Sequence, residues 1–378
     1  MQSPTFGFDD LSLDQLRTRR SVKWRRYPPD VLPAWVAEMD FPLAPSVHAT
    51  LAEALERDDT GYASSGGLAE AFAAFAAGRF GWTIDPDRTL VVADIMSGVA
   101  EVLRALTAPG DRVVVNPPVY PPFFNSTRDV GREPVEAPLS PGWRLDLDAL
   151  ERAFAGGARA YLLCNPHNPT GTVFTRDELA AVAELAARHG VLVVSDEVHA
   201  PMTLPGATHT PYLTVAEHGL ALVSASKAWN LAGLKSALIV AGSEDSAGEL
   251  GRIPGHVSYH AGHFGVLAAI AAFADDAVWL DALVAHLDVQ RDRLAELLAA
   301  KLPAVELVRP QAGYLAWLDC RELGLGDDPA AAFLERGRVA LASGPTFGAE
   351  GKGFTRLNFA TSGAILTEAV ARMARSVP

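Results

Sequence analysis

Apolar and polar positions along this 378-residue chain follow two different periods. Short continuous apolar runs predict buried strands, whereas apolar residues three or four positions apart predict amphipathic helices. Strand-length apolar runs occupy residues 89–95, 112–115, 160–164, 191–195, 221–224 and 237–241. Helical spacing covers residues 45–57, 67–80 and 100–107. A capping box from Thr175 to Glu178 starts one more helix, and Gly190 follows its end.

Strands that alternate with helices predict an α/β fold, in which helices flank a mostly parallel sheet. Beyond this region the pattern changes to a long amphipathic helix, short strands after Pro303 and two further helices. These helices are predicted at residues 276–301, near 329–338 and from about 364. We therefore predict an amino-terminal arm (1–45) that joins the small domain, a large domain (46–275) and a small α+β carboxyl-terminal domain (276–378).

Composition excludes several classes of protein. Apolar residues make up 49% of the chain, which argues against disorder, and a net charge of −13 argues against a general nucleic-acid binder. The two cysteines fit neither a disulfide framework nor a metal site. The longest apolar run, 264–274, is too short to span a bilayer, and residues 1–13 lack the apolar run of a signal peptide. We expect a cytoplasmic protein without a membrane or metal partner.

Polar motifs follow three of the predicted strands directly. They are Asn-Pro-His-Asn-Pro-Thr-Gly at residues 165–171, Asp-Glu at 196–197 and Ser-Ala-Ser-Lys at 224–227. Each has an ordinary explanation taken alone: a rigid turn, a helix cap or a solvated lysine. Ligands of doubly wound sheets bind outside the carboxyl ends of the strands, so the three together indicate a ligand site. Only five of the 32 lysine and arginine residues are lysines, and arginine cannot replace lysine as a nucleophile.

Two further positions suggest anion binding. Ser97-Gly98-Val99 lies between a predicted strand and a helix, where free N–H groups bind phosphate, although serine there is also an ordinary helix cap. Arg356 lies in the apolar run 354–359, which indicates a carboxylate or phosphate partner or a structural ion pair. The glycine fingerprints of dinucleotide sites and P-loops are absent from the sequence, which argues against a dehydrogenase.

In this order, the motifs resemble those of the pyridoxal 5′-phosphate enzymes of the aspartate aminotransferase superfamily (fold type I). The chain is more narrowly similar to the cystathionine β-lyase, or C–S lyase, branch. The cues for this branch lie in residues 20–24, 32–41, 61–62, 196–199 and 230–235. The resemblance runs from about Phe8 to the carboxyl end and implies a seven-stranded sheet and a homodimer.

The resemblance implies how the cofactor ring is held. Lys227 would carry the cofactor covalently on its amine and act as the catalytic base. Asp196 would pair with the ring nitrogen and keep it protonated, so that the ring withdraws electrons. Asn168 and His199 would hydrogen-bond the phenolic oxygen, and Tyr120 would stack on the ring face.

The resemblance also implies a phosphate site at the far end of the cofactor. The backbone of Gly98 and Val99 would bind the phosphate together with Ser224 and Lys235. Tyr62 of the neighbouring subunit would reach the same phosphate. The active unit implied is therefore a homodimer, with its active sites at the subunit interface.

For the substrate, the resemblance implies that Arg356 binds the α-carboxylate and that Trp35 and Ala37 line the site. The function expected is cleavage of cystathionine or a related L-cysteine S-conjugate to a thiol, pyruvate and ammonia, as in methionine biosynthesis. An aminotransferase uses the same residues and is the alternative, and a regulatory binding protein ranks below it. The chain departs from the usual pattern at Glu38, where aspartate is common, and at Pro201, where an acidic residue is common.

Overall fold

The computed structural model describes residues 6–275 and 278–377. Within them the helices are α1 (Leu13–Arg17), α2 (Val22–Arg25), α3 (Pro45–Glu56), α4 (Leu68–Phe80), α5 (Ile95–Leu106), α6 (Pro122–Asp129), α7 (Leu147–Ala155), α8 (Arg176–His189), α9 (Glu244–Leu250), α10 (His263–Ala274), α11 (Val278–Lys301), α12 (Pro329–Gly337) and α13 (Gly363–Arg375). The strands are β1 (Leu32–Pro33), β2 (Thr89–Val92), β3 (Arg112–Val115), β4 (Glu133–Glu136), β5 (Ala158–Cys164), β6 (Leu192–Asp196), β7 (Leu220–Val223), β8 (Ala237–Ala241), β9 (Glu306–Val308), β10 (Leu315–Asp319), β11 (Val339–Ala340), β12 (Ala342–Ser343) and β13 (Phe354–Asn358).

A seven-stranded sheet forms the centre of the molecule, in the order β2-β8-β7-β6-β5-β3-β4. Only β8 runs antiparallel to its neighbours, β2 and β7, so the sheet is mostly parallel, as predicted. Side chains of the apolar strands alternate between its two faces. Val113 and Val115 pack with α5 and α6 on one face, while Val114 packs with α7 and α8 on the other. Because these strands are buried on both faces, their sequences are continuous apolar runs.

The carboxyl ends of β5, β6 and β7 lie side by side. Cys164 at the end of β5 is paired with Asp196 at the end of β6, and Asp196 is paired with Leu222 in β7. The three polar motifs of the sequence follow these strands, so the sheet register brings them to one edge.

The carboxyl-terminal part of the chain forms a second, antiparallel sheet in the order β12-β13-β10-β9. Strand β1 of the arm pairs with β11, which attaches the arm to this part of the molecule. Within the arm, the side chains of Lys23 and Asp40 form an ion pair of 2.8 Å that is almost fully buried and that holds two parts of the arm together. The domain boundaries predicted at 45/46 and 275/276 remain predictions, and residues 276–277 lie outside the described part of the chain.

The structure corrects the helix predicted to begin at residue 100. Helix α5 begins at Ile95, because the carboxylate of Asp94 caps it by accepting the N–H of Ser97 at 2.8 Å. Eight elements were not predicted: α1, α2 and β1 of the arm, and α6, β4, α7, α9 and α10 farther along the chain. Across residues 6–275 and 278–377, none of the helices has the length and apolar character needed to cross a bilayer.

Candidate active site

A cavity of about 230 Å³ opens where β5, β6 and β7 end. Seven of the residues proposed from the sequence line it: Ala37, Tyr120, Asn168, Asp196, His199, Lys227 and Lys235. Seven more residues complete the lining: Asp94, Ile95, Met96, Cys164, Val198, Ser226 and Ala232. One arm residue, three strand ends and one helix start therefore meet in a single cavity.

Lys227 lies in the tight turn after β7, where Trp229 N–H donates to Ala225 C=O at 3.0 Å. The side chains of Ala225, Ala228 and Trp229 are buried and anchor this turn in the core. The Lys227 Nζ atom donates to the carbonyl oxygen of Ala37 at 3.2 Å. Burial, together with the charge of Arg356, lowers the Lys227 pKa to about 8. The carboxylates of Asp196, Glu38 and Asp94 have the opposite effect and limit this decrease. A lysine in this state has far more free, nucleophilic amine near neutral pH than an ordinary lysine has.

Asp196 is the last residue of β6 and faces the same cavity. Burial raises the pKa of its carboxyl group to about 7; the Val198 N–H and Lys227 oppose this rise, and Glu197 adds to it. The N–H of Val198 donates to Asp196 Oδ1 at 3.1 Å, which fixes the carboxyl group at the strand end. A buried carboxylate of this kind calls for a cationic partner.

His199 provides a buried polar atom without a partner. Burial, together with the charges of Lys227 and Arg356, lowers the His199 pKa to about 3, so the ring is neutral at physiological pH. Its Nδ1 atom has no hydrogen-bond partner among the described residues. An orphaned ring nitrogen beside a cavity indicates that a ligand supplies the missing partner.

Arg356 extends from β13 toward the Asn-Pro motif. Its Nη1 donates to Asn168 Oδ1 at 2.8 Å, and its Nη2 donates to the carbonyl of Trp35 at 3.1 Å. The guanidinium lies 5.0 Å from the ring centre of Phe347. Burial lowers the Arg356 pKa to about 10, so the group stays cationic at neutral pH. Tyr120 is anchored beside it, because its N–H donates to the Asn168 carbonyl at 3.1 Å.

The start of α5 and the side chain of Lys235 form the anionic-ligand end of the cavity. Lys235 Nζ lies 2.8 Å from Asp94 Oδ2. Burial alone would raise the Asp94 pKa, but hydrogen bonds from Lys235 and Ser97 outweigh it and lower the pKa. Ile95 and Met96 are the first two residues of the helix, whose N–H groups have no partner within the helix.

Three residues that were predicted to bind the phosphate are not among those that line the cavity. Gly98 N–H donates to the Asp94 carbonyl at 2.9 Å, and a Cβ atom on Gly98 would lie 2.7 Å from Leu222, so this glycine serves helix–sheet packing. Val99 is buried in the core of that face. Ser224 Oγ donates to the Ser236 carbonyl at 2.7 Å and accepts the Ser226 N–H at 3.0 Å. The structure therefore places Ile95, Met96 and Ser226 at the cavity instead of Gly98, Val99 and Ser224.

Three other predicted residues are outside the cavity lining of this chain. Arg356 is one of them, although it contacts the lining residue Asn168. Tyr62 is 91% exposed. Trp35 contributes its carbonyl to Arg356, while its ring lies edge-on to Tyr27 at 6.0 Å. Sequence analysis missed Asp94, although an aspartate at the junction of an apolar strand and a helix is a common cap signal.

Residues 35–373 match the family model described as aminotransferase class I and II, and the chain belongs to this family. It is 50% identical over 398 residues to a Mycobacterium tuberculosis protein named "Putative cystathionine beta-lyase", covering 98% of each. It is 35% identical to the cystathionine beta-lyase of Corynebacterium glutamicum, covering 96% of this chain and 98% of that protein. A solved structure from Corynebacterium diphtheriae, titled as a "putative plp-dependent beta-cystathionase", aligns with a TM-score of 0.91 at 35% identity, covering 97% and 98% of the two chains.

Proposed function

We propose that this enzyme is a pyridoxal 5′-phosphate-dependent carbon–sulfur lyase that cleaves cystathionine or a related L-cysteine S-conjugate. The products would be a thiol, pyruvate and ammonia. The observation that carries the proposal is the partly buried Lys227, whose pKa is lowered to about 8 and which lies in one cavity with Asp196 and close to Arg356. The names of the full-length relatives from Mycobacterium and Corynebacterium support the lyase reaction.

Pyridoxal 5′-phosphate is the cofactor, and the donor set of the cavity fits it. Lys227 provides an amine for covalent attachment, and the orphaned Nδ1 of His199 provides a polar contact for a ring substituent. Ile95, Met96 and Lys235 form the end suited to the phosphate. When bound, the pyridinium ring supplies an electron sink for negative charge left at the substrate Cα atom.

The side chains of this enzyme then perform three tasks. Arg356 holds the substrate α-carboxylate, because a planar guanidinium binds a carboxylate through two parallel hydrogen bonds. The Lys227 amine removes the Cα proton, a role for which a pKa of about 8 is well matched to neutral pH. Asp196, as a carboxylate, favours the protonated form of a ring nitrogen beside it.

We further propose that the active unit is a homodimer. Tyr62 is 91% exposed, and contact with a second subunit would remove the apolar surface of its ring from water. Its position in the Gly-Tyr motif of the C–S lyase branch supports a role at the partner's phosphate site. The acidic net charge supports an enzyme of small molecules without a nucleic-acid partner. Since cleavage of cystathionine releases homocysteine, we place the enzyme in cytoplasmic methionine biosynthesis.

The test of this function uses the purified enzyme and its Lys227→Ala variant. We expect the wild type to show a visible absorption band that borohydride removes, and to release pyruvate, ammonia and a free thiol from L-cystathionine. Lys227→Ala should lose the band and at least about a thousandfold in rate, because both attachment and proton transfer are removed. Pyruvate release by the variant at the wild-type rate would refute the scheme.

An aminotransferase is the second candidate, because the family model that matches residues 35–373 is described as aminotransferase class I and II. The discriminating measurement is the dependence on a keto acid. A lyase forms pyruvate from cystathionine with no keto acid present. An aminotransferase consumes an added keto acid and leaves the carbon–sulfur bond intact.

A further inference from the structure

A tight turn in the arm faces both cationic groups of the active site. Glu38 N–H donates to the Val36 carbonyl at 2.9 Å, which closes a three-residue turn with Ala37 at its centre. The carbonyl of Ala37 accepts the Lys227 ammonium at 3.2 Å. One residue before the turn, the carbonyl of Trp35 accepts the Arg356 guanidinium at 3.1 Å.

The side chain of Asn358 holds the two ends of this turn together. Its Nδ2 group donates to the Val36 carbonyl at 2.7 Å and to the Glu38 carbonyl at 2.7 Å. Its Oδ1 accepts the N–H of Ala360 at 2.8 Å, so the amide is fixed at both ends. Asn358 is also 2% exposed, which keeps water from competing for these bonds.

Asn358 lies two residues beyond Arg356 on β13, so the two side chains project from the same face of the strand. Strand β13 therefore carries both Arg356 and the Asn358 amide, which holds the carbonyls of the turn in place. From this geometry we propose that Asn358 is a positioning residue, which orients Lys227 and Arg356 through the backbone of residues 35–38. The proposal rests on the function proposed above, but part of its test does not depend on the lyase reaction.

The mechanism predicts two separate effects of removing the amide. A fixed carbonyl oxygen favours the ammonium form of Lys227, so loosening the turn lowers the pH at which the amine becomes free. A guanidinium that loses its fixed partner at Trp35 is less well placed to receive the substrate carboxylate. Removing the amide replaces none of the charged and titratable groups that act on Lys227, which are Arg356, Asp196, Glu38, Asp94 and His199.

The test compares Asn358→Ala with a matched control, Asn116→Ala. Asn116 is likewise 2% exposed, and its Nδ2 donates to the carbonyl of Ala137 at 2.8 Å, away from both cations. The first measurement is the rate at which cofactor-free full-length protein attaches pyridoxal 5′-phosphate covalently, followed by absorbance from pH 6 to 10. For Asn358→Ala we expect the midpoint of this pH profile to fall by about 0.5 unit or more.

The second measurement is the steady-state kinetics of the cofactor-loaded enzyme. For Asn358→Ala we expect KM for the amino-acid substrate to rise about three- to tenfold, with a smaller change in kcat. Asn358→Ser, which keeps one short donor, should give smaller changes in the same direction and provides the test if the alanine variant does not fold. For Asn116→Ala we expect a loss of stability without either change.

Two results would overturn the proposal. In the first, Asn358→Ala folds and keeps the wild-type midpoint and KM. In the second, Asn116→Ala shifts both quantities as far, which would show that general loosening is the cause. If no cysteine conjugate is cleaved by the wild type, the lyase function fails, but the attachment profile still decides the role of Asn358.

Discussion

At the scale of single residues, the cavity combines two groups whose proton affinities are shifted toward each other. Burial raises the Asp196 pKa from 3.8 to about 7 and lowers the Lys227 pKa from 10.5 to about 8. Both shifts show that the cofactor-free fold carries an energetic cost at this site. Such a cost is typical of a site whose ligand compensates the buried charges.

This cost predicts how the stability of the cofactor-free protein depends on pH. Between pH 3.8 and about 7 the folded protein keeps a proton on Asp196 that the unfolded chain has released, so the contribution of Asp196 to stability falls as the pH rises. Between about pH 8 and 10.5 the folded protein has released a Lys227 proton that the unfolded chain keeps, so stability rises with pH. His167 and His199, whose pKa values burial lowers to about 4 and about 3, act in the opposite direction to Asp196 below pH 6.5, because the unfolded chain keeps protons that the folded protein has released. Denaturant unfolding of the wild type and of a variant at a single position should therefore separate the contribution of that group.

The variant Asp196→Asn isolates the contribution of Asp196 to the free energy of unfolding. An asparagine carries no charge to desolvate, so this variant should be more stable than the wild type at pH 7.5 by ~1–4 kcal/mol and equal to it near pH 4. Bound pyridoxal 5′-phosphate should reverse the difference, because the protonated ring nitrogen pairs with a carboxylate and not with an amide. A constant difference across this pH range would mean that Asp196 titrates in the folded protein as it does in the unfolded chain.

At the scale of elements, the start of α10 sets the position of Lys235. Lys235 has a left-handed backbone (φ 63°), and its carbonyl accepts the N–H of Gly262 at 2.7 Å. A Cβ atom on Gly262 or on Gly265 would lie 2.3 Å from the carbonyl oxygen of Leu234. Only glycine allows the helix and the turn to approach this closely.

We predict that Gly265→Ala weakens phosphate binding by moving this turn. Displacement of Lys235 should raise the Kd of pyridoxal 5′-phosphate about tenfold and leave the Kd of pyridoxal, which lacks the phosphate, nearly unchanged. Gly233→Ala is the control, because it lies in the same turn and a Cβ atom there meets nothing within 4 Å. If Gly265→Ala raised the Kd of both ligands equally, Lys235 would not be a phosphate-binding residue.

At the scale of the whole molecule, the proposed dimer can be tested by mixing inactive subunits. If Tyr62 serves the partner's site, a heterodimer of Lys227→Ala with Tyr62→Ala contains one site with both native residues. Random reassembly of equal amounts should then recover up to about a quarter of the wild-type activity. Size-exclusion chromatography with light scattering provides the control for assembly. No recovery from mixed dimers would place Tyr62 and Lys227 in the same subunit's site.

The order of motifs along the chain was sufficient to predict the α/β fold, the family and the main cluster of the cavity. Asn168, Asp196 and Lys227 each follow an apolar strand, and parallel strands bring their carboxyl ends to one edge whatever the connections between them. Arg356 was identifiable because a cation within an apolar strand calls for an anionic partner. These inferences depend on local pattern and on a general rule of sheet geometry.

Only the tertiary structure decided which backbone groups face the cavity. The carboxylate of Asp94 starts α5 one turn earlier than periodicity predicted, so that Ile95 and Met96 replace Gly98 and Val99. Asn358 stands 320 positions from Glu38, and nothing in the local pattern of either segment indicates that they meet. Hydrogen bonds between distant segments depend on how the sheets and the arm pack, and hydrophobic periodicity carries no record of that packing.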